Sequence, residues 1–321
     1  MSSSASAPIE PPSVDPMYPG APPDLPPAEA RSAAGPKNRR TLAIAAPAAG
    51  YLILFLVVPV VTLLAYSVLT AGFFTVSGPL TLDNYKQALE SDLTWQLGRN
   101  SLIVGGLTAA ISVLIAVPVA YWLRYHAGRW QLAVMFLVAV SMFASYLVRI
   151  YAWRTILGTN GVLNTALIDL GLIDHPSSLF IFNQAAIVIA LVHISVPYVV
   201  LVMFAAFRPI EPRYLEAARD LGGGTVQRWR RVVLPLIAGP AISSFIFIFV
   251  LASADYVTPQ FLGGPGDAML GVNIAAEFTA SGNWAMGAAL SGIMLAAYAL
   301  CFAVAAIGLR LAGLSKIRWT T

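Results

Sequence analysis

The sequence predicts an all-α integral membrane protein with six transmembrane helices, on three observations. Of 321 residues, 58% are hydrophobic and only 11% charged, against roughly 25% charged in an ordinary soluble domain. Six apolar stretches are each long enough to cross a hydrocarbon layer of about 30 Å, which takes about 20 helical residues. Lys and Arg gather in alternate connections between those stretches, as the positive-inside rule requires.

Residues 1–40 hold ten of the 22 prolines and no apolar periodicity. Such a segment cannot bury enough surface to offset its ordering entropy, so it is predicted to be a disordered cytoplasmic tail. Lys37, Arg39 and Arg40 close it. The membrane domain then covers 41–315. Its first span, 42–70, far exceeds the apolar core of a signal peptide, about 7–15 residues, and reads as an uncleaved anchor. The further spans are predicted at 100–124, 131–157, 185–207, 235–258 and 284–310. Pro47, Pro59, Pro118, Pro197 and Pro240 fall inside them, which membrane helices tolerate when neighbours re-satisfy the freed backbone groups.

Orientation follows from the basic residues. The tail, Arg124 and Arg129 after span two, Arg208 to Arg231 after span four, and Arg310, Lys316 and Arg318 at the C-terminus share one side. Both termini are therefore expected in the cytoplasm. The opposite connections 158–184 and 259–283 contain no Lys or Arg. The net charge of +4 is thus a membrane-rim charge, suited to anionic lipid, and no nucleic-acid partner is expected. Cys301 is the only cysteine, so no intrachain disulfide can form, and its apolar neighbours predict a buried, inert thiol. His126, His175 and His193 are scattered without ligand spacing, and no metal site is expected.

The connection at 208–233 is too polar to insert and too patterned for a passive linker. Residues 213–221 suit a short helix with Tyr214, Ala218 and Leu221 on one face. Gly222, Gly223 and Gly224 end it, since glycine accepts the left-handed conformation found there. Thr225 is expected to cap a second short helix through Trp229 to Val233, and Pro235 to open the next span. Ala217 and Ala218 keep the first helix slim enough for close approach by a partner.

Glu216-Ala217-Ala218, then Gly222, then Leu234-Pro235 resemble the EAA signature of type I ABC-importer permeases, with Val232 where that family usually carries isoleucine. The resemblance implies that Glu216, Ala217, Ala218, Gly222, Leu234 and Pro235 belong to a coupling helix seated in a cleft of a nucleotide-binding subunit. It implies two such ATPase subunits holding ATP and Mg, with no cofactor bound by this chain. A second, related permease of the C-type and a periplasmic or lipid-anchored binding protein complete the implied assembly. The chain lacks the G-x-x-x-x-G-K-[ST] phosphate loop, which agrees with a permease that is not itself an enzyme.

Two further segments narrow the resemblance to spermidine/putrescine-type permeases, B-type subunit. These are Asp255-Tyr256-Val257-Thr258-Pro259 with Phe261-Leu262-Gly263-Gly264, and Leu147-Val148-Arg149-Ile150-Tyr151-Ala152-Trp153 with Leu157-Gly158. The likeness runs over about 45–315, with the core transport region at about 97–310. Asp255 is the only acid in an apolar span and Arg149 lies at a similar predicted depth. Intramembrane charges are functional candidates by default. Two readings stay open for Asp255: an ion pair with Arg149 or Arg154, or direct handling of a cationic substrate. Tyr146, Tyr151, Trp153 and Tyr256 form either an interfacial belt or part of a gate that passes an ammonium chain by cation–π contact.

Within the importer class, the same motifs would suit an amino acid derivative, opine, thiamine or iron carrier. An ion-coupled secondary transporter would show inverted repeats and small-residue helix breaks, which the six stretches do not. A membrane enzyme would need a clustered nucleophile and base, and neither H-E-x-x-H nor G-x-S-x-G occurs.

Overall fold

The computed structural model describes residues 46–48 and 50–311, with side chains to residue 307. The predicted tail at 1–40 lies outside them. The chain divides at Val58 into two units. Of the first, the described residues are helical and belong to α1 (Ala46–Ser67), which contains a widened π turn at Ile53–Val57.

A two-stranded hairpin follows α1, pairing β1 (Leu69–Gly72) with β2 (Thr75–Leu80) through Ala71↔Val76 and Gly72↔Thr75. Its tip is anchored, since the Phe74 N–H donates to the Gly282 carbonyl at 2.8 Å. The sequence pattern predicts a helix to residue 70 and a loop beyond it, which the hairpin corrects. Four- and six-residue strands leave too few alternating positions to signal a sheet.

Next come α2 (Asp83–Glu90) and α3 (Asp92–Tyr125). The α3 helix is the axis of the domain. Its buried stripe of Ser101, Val104, Gly105, Thr108, Ser112, Ala116 and Ala120 recurs about every fourth residue. Small side chains on one face let neighbouring helices approach closely, and α7 (Gln184–Phe207) and α9 (Thr225–Ser253) pack there. Between α3 and α7 lie α4 (Gln131–Met142), α5 (Tyr146–Leu157) and α6 (Val162–Asp169). The short α8 (Pro212–Asp220) precedes α9. After it come α10 (Val257–Leu262), α11 (Leu270–Thr279) and α12 (Trp284–Leu311).

Five single helices are long and apolar enough to span a membrane, and the bent α4–α6 segment makes six if it is one span. That bend corrects the straight helix expected over 131–157. The chain turns by 96° between Met142 and Tyr146, without proline or glycine. Ser141 Oγ bonds back to the Val138 carbonyl at 2.7 Å and Arg149 Nη2 satisfies the Ala144 carbonyl at 2.9 Å. Depths counted along a straight third helix therefore do not hold for Arg149.

Asn100 shows how the connections are tied to the helices. At 1% exposure, it donates to the carbonyls of Gly266 (2.9 Å) and Ala268 (3.0 Å) and accepts from Gln184 Nε2 (3.0 Å). Asn100→Leu leaves those buried groups unmatched, at about 1–3 kcal/mol for an orphaned acceptor. A clear fall in the melting temperature of detergent-purified protein is the expected result.

Candidate functional site

The segment from Glu211 to Pro235 folds around an exposed helix rooted on the bundle. Pro212 occupies the first position of α8, where a missing N–H costs nothing. At the other end the Gly223 N–H reaches the Ala218 carbonyl at 2.9 Å and the Gly222 N–H reaches Arg219 at 2.9 Å. Those two bonds are a Schellman closure, and Gly222 sits at φ +78° as it requires. Gly223 is constrained differently, because a Cβ there would lie 2.5 Å from the Ala218 carbonyl oxygen. The family signature does not include Gly223; the triple glycine was the signal.

Glu216 and Ala217 are exposed and Ala218 is half-buried. Tyr214 and Leu221 face away from the protein, Leu221 at 90% exposure, while Leu215 is the residue that packs inward. Thr225 does not cap the following helix. Gly224 holds that position without a side-chain bond, and the Thr225 hydroxyl instead accepts from Arg228 Nη2 at 3.2 Å. Nor does a new helix start at Pro235. The chain runs continuously from Thr225 to Ser253 through a π turn at Trp229–Val233. Proline cannot donate to the carbonyl four residues back and its ring crowds it; a wider turn just before Pro235 fits that need. Leu234 stays exposed, and Val233, 1% exposed, is the buried anchor.

Four aromatic rings that sequence reading missed seat this loop. Tyr121 lies 4.9 Å from Trp229, 4.8 Å from Tyr125 and 5.8 Å from Phe207. The Tyr125 hydroxyl also donates to the Ile210 carbonyl at 2.8 Å. The loop is thereby fastened to the ends of α3 and α7 and continues directly into α9. Aromatics at a helix end look the same in sequence whether they face lipid or one another.

The second candidate region lies where α9 ends. Helix five was expected to run to 258, but it stops at Ser253, and Asp255 stands in the break before α10. Its carboxylate oxygens accept from the N–H groups of Val257 (3.0 Å) and Thr258 (3.2 Å), capping α10. Of the two open readings, the ion pair with Arg149 or Arg154 is not formed: among the described residues the only ion pair joins Arg213 to Glu211. Arg154 lies over the Phe261 ring at 5.9 Å instead.

Among the described residues no hydrogen bond joins Tyr151, Trp153 or Tyr256 to the Asp255 carboxylate. Tyr151 packs on Phe261 at 5.0 Å, and Trp153 meets His193 edge-on at 5.6 Å. Tyr256 is exposed. The Tyr146 hydroxyl pairs with Thr258 Oγ1 at 2.9 Å, tying the start of α5 to α10. Cys301 is only half-buried, against expectation. Among the described residues no group of His, Cys, Asp and Glu could hold a metal.

Residues 30–315 match the family model described as "Binding-protein-dependent transport system inner membrane component". The chain is 34% identical to the spermidine/putrescine transport system permease protein PotB of Haemophilus influenzae, over 75% of this chain and 84% of that protein. It is 30% identical to PotB of Escherichia coli K12, over 78% and 93% respectively. In fold it resembles a chain of a bacterial ABC transporter involved in the import of the acidic polysaccharide alginate. That match has a TM-score of 0.68 and 18% identity, covering 87% of this chain and 96% of that one.

Proposed function

The chain belongs to the family of binding-protein-dependent transport system inner membrane components, and on that premise we propose that residues 208–233 receive the stroke of a separate ATPase and that the solute carried is a polyamine. It is a multi-pass permease subunit of an ABC importer. The coupling reading rests on one observation above all: α8 presents Tyr214, Glu216, Ala217 and Leu221 outward, while its base is held by the Tyr121–Tyr125–Phe207–Trp229 cluster. A helix that is exposed on one side and rooted on the other can take a push and pass it on.

The path of that push is α9. Its 29 residues run from Thr225 to Ser253, about 43 Å at 1.5 Å per residue, and end at the Asp255 break. Displacement of the loop thus acts through a continuous rod on the far end of the domain. Two ATPase subunits, each with ATP and Mg, would dock on this loop and on that of a second, C-type permease. The distribution of basic residues supports a cytoplasmic side for the loop and both termini. A periplasmic or lipid-anchored binding protein would deliver solute at the opposite side.

Polyamine is supported by the relatives' substrate and by Asp255, whose charge has no cationic partner among the described residues. ATPase activity of the complete transporter in liposomes is expected to rise severalfold when its binding protein carries putrescine or spermidine. A binding protein that ignores polyamines and is saturated by an anionic or zwitterionic solute would overturn the substrate, leaving the importer class intact.

A further inference from the structure

A cavity of about 330 Å³ lies between α5, α7 and α9, with Asp255, Tyr146, Ser195 and Tyr198 in its wall beside Phe247 and Leu251. We propose that this cavity is an amine-reading station inside the membrane domain, in which Asp255 accepts a substrate ammonium while it caps α10. The inference rests on the polyamine reading above and names where in this chain that substrate is recognised.

The geometry supplies each part of an ammonium site. Asp255 uses one acceptor position on each oxygen for the Val257 and Thr258 N–H groups. An ionised carboxylate offers about four such positions, so acceptor capacity remains. Ser195 is 8% exposed, and among the described residues neither its hydroxyl nor that of Tyr198 has a hydrogen-bond partner, although both lie in the cavity wall. Hydroxyls accept as well as donate, so both suit an –NH3+ group with three donors to place. The rings of Tyr146, Tyr198 and Phe247 add faces that attract a cation, and the apolar remainder of the wall suits the methylene chain between two ammonium groups. Arg149, one turn along α5 from Tyr146, donates to the Ala144 carbonyl and forms no ion pair with Asp255.

The position also links recognition to movement. Asp255 holds the break between α9 and α10, and Tyr146, beside the bend between α4 and α5, is bonded to Thr258 of α10. Two interrupted helices therefore meet at this cavity. An ammonium that draws on the Asp255 carboxylate acts on the cap of α10 directly.

The test is Asp255→Asn in the complete transporter, with binding protein saturated by spermidine. Asparagine ranks with aspartate as a helix cap, but its single acceptor oxygen keeps only one of the Val257 and Thr258 bonds, so Tyr198→Phe, which leaves the break untouched, is measured beside it. Hydrogen bonds to a charged group are the stronger kind, and a loss of about tenfold in spermidine uptake is expected. Stimulated ATPase activity should stay within about twofold of wild type, lowering polyamine carried per ATP; a purely structural role for Asp255 would not move that ratio. Should Asp255→Asn fail to co-purify with its partners, Tyr198→Phe decides by the same ratio, since it removes a hydroxyl and keeps the ring. Uptake per ATP equal to wild type in an assembled variant overturns the station while polyamine import stands. A wild-type transporter that does not carry polyamines overturns both.

Discussion

Gly222→Val is expected to cut ATP-driven uptake about tenfold or more while the protein still inserts and accumulates. Gly222 sits at φ +78°, a conformation that costs an ordinary L-residue about 1–2 kcal/mol and a β-branched one more. Its own surroundings are open, with nothing within 4 Å of a Cβ, so the damage is to backbone conformation rather than packing. The turn would lose the bonds to Ala218 and Arg219 and α8 would end in the wrong direction. Gly222→Asn, which tolerates the left-handed region, is expected to keep most of the activity. Glu216→Lys reverses a charge on the exposed side of the same helix and should also cut transport. Uptake in membrane vesicles, normalised to the permease detected there, checks all three. Wild-type rates in Gly222→Val and Glu216→Lys together would remove the coupling role of this loop.

Gly105→Val should prevent assembly of the membrane domain. A Cβ at Gly105 would lie 2.6 Å from Ser253 Cβ and 3.0 Å from the Phe249 carbonyl oxygen, where α3 crosses α9. Ser253 is fully buried and bonded to the Tyr298 hydroxyl of α12 at 2.9 Å, so a forced separation reaches a third helix. Overpacking of a close contact costs about 1–3 kcal/mol, occasionally more, and here the obstacle includes backbone that cannot rotate away. Gly106 next to it meets nothing within 4 Å, and Gly106→Val should accumulate normally. Comparable membrane levels of the two variants, measured by fluorescence-detected size exclusion, would show that the α3–α9 contact is not tight in solution.

Much of this architecture was legible in the chain. Spans four and six were placed within a few residues because long apolar runs bounded by charge have one solution in a membrane, whereas span two, expected from residue 100, begins at Asp92. The exception to their regularity was span three, whose break at Phe143–Ser145 uses residues that are also at home in a helix. Helix five was over-extended for a related reason: Asp255-Tyr256-Val257 continues an apolar pattern, and only the carboxylate turning onto Val257 and Thr258 marks the stop.

The candidate sites divide the same way. The helix over 213–221 could be read locally, since glycines past its end meet a conformational requirement of their own backbone. The helix was foreseen and its glycine closure fits, although its inward residue is Leu215 and Thr225 caps nothing. For Asp255, the alternatives of ion pair and substrate handling could not be separated from sequence, because both place one acid in an apolar run.

The sequence by itself determined the lipid environment, the succession of membrane helices and the position of the polar connection between spans four and five. These depend on composition and short-range pattern, which act within a single helix or turn. Tertiary structure alone decided which helices break, that Tyr121, Tyr125, Phe207 and Trp229 seat the loop, and that Asp255 shares a cavity with Tyr146, Ser195 and Tyr198. Those outcomes join residues dozens of positions apart, and long-range contacts are chosen by the packing of whole helix faces, which no local window of the chain contains.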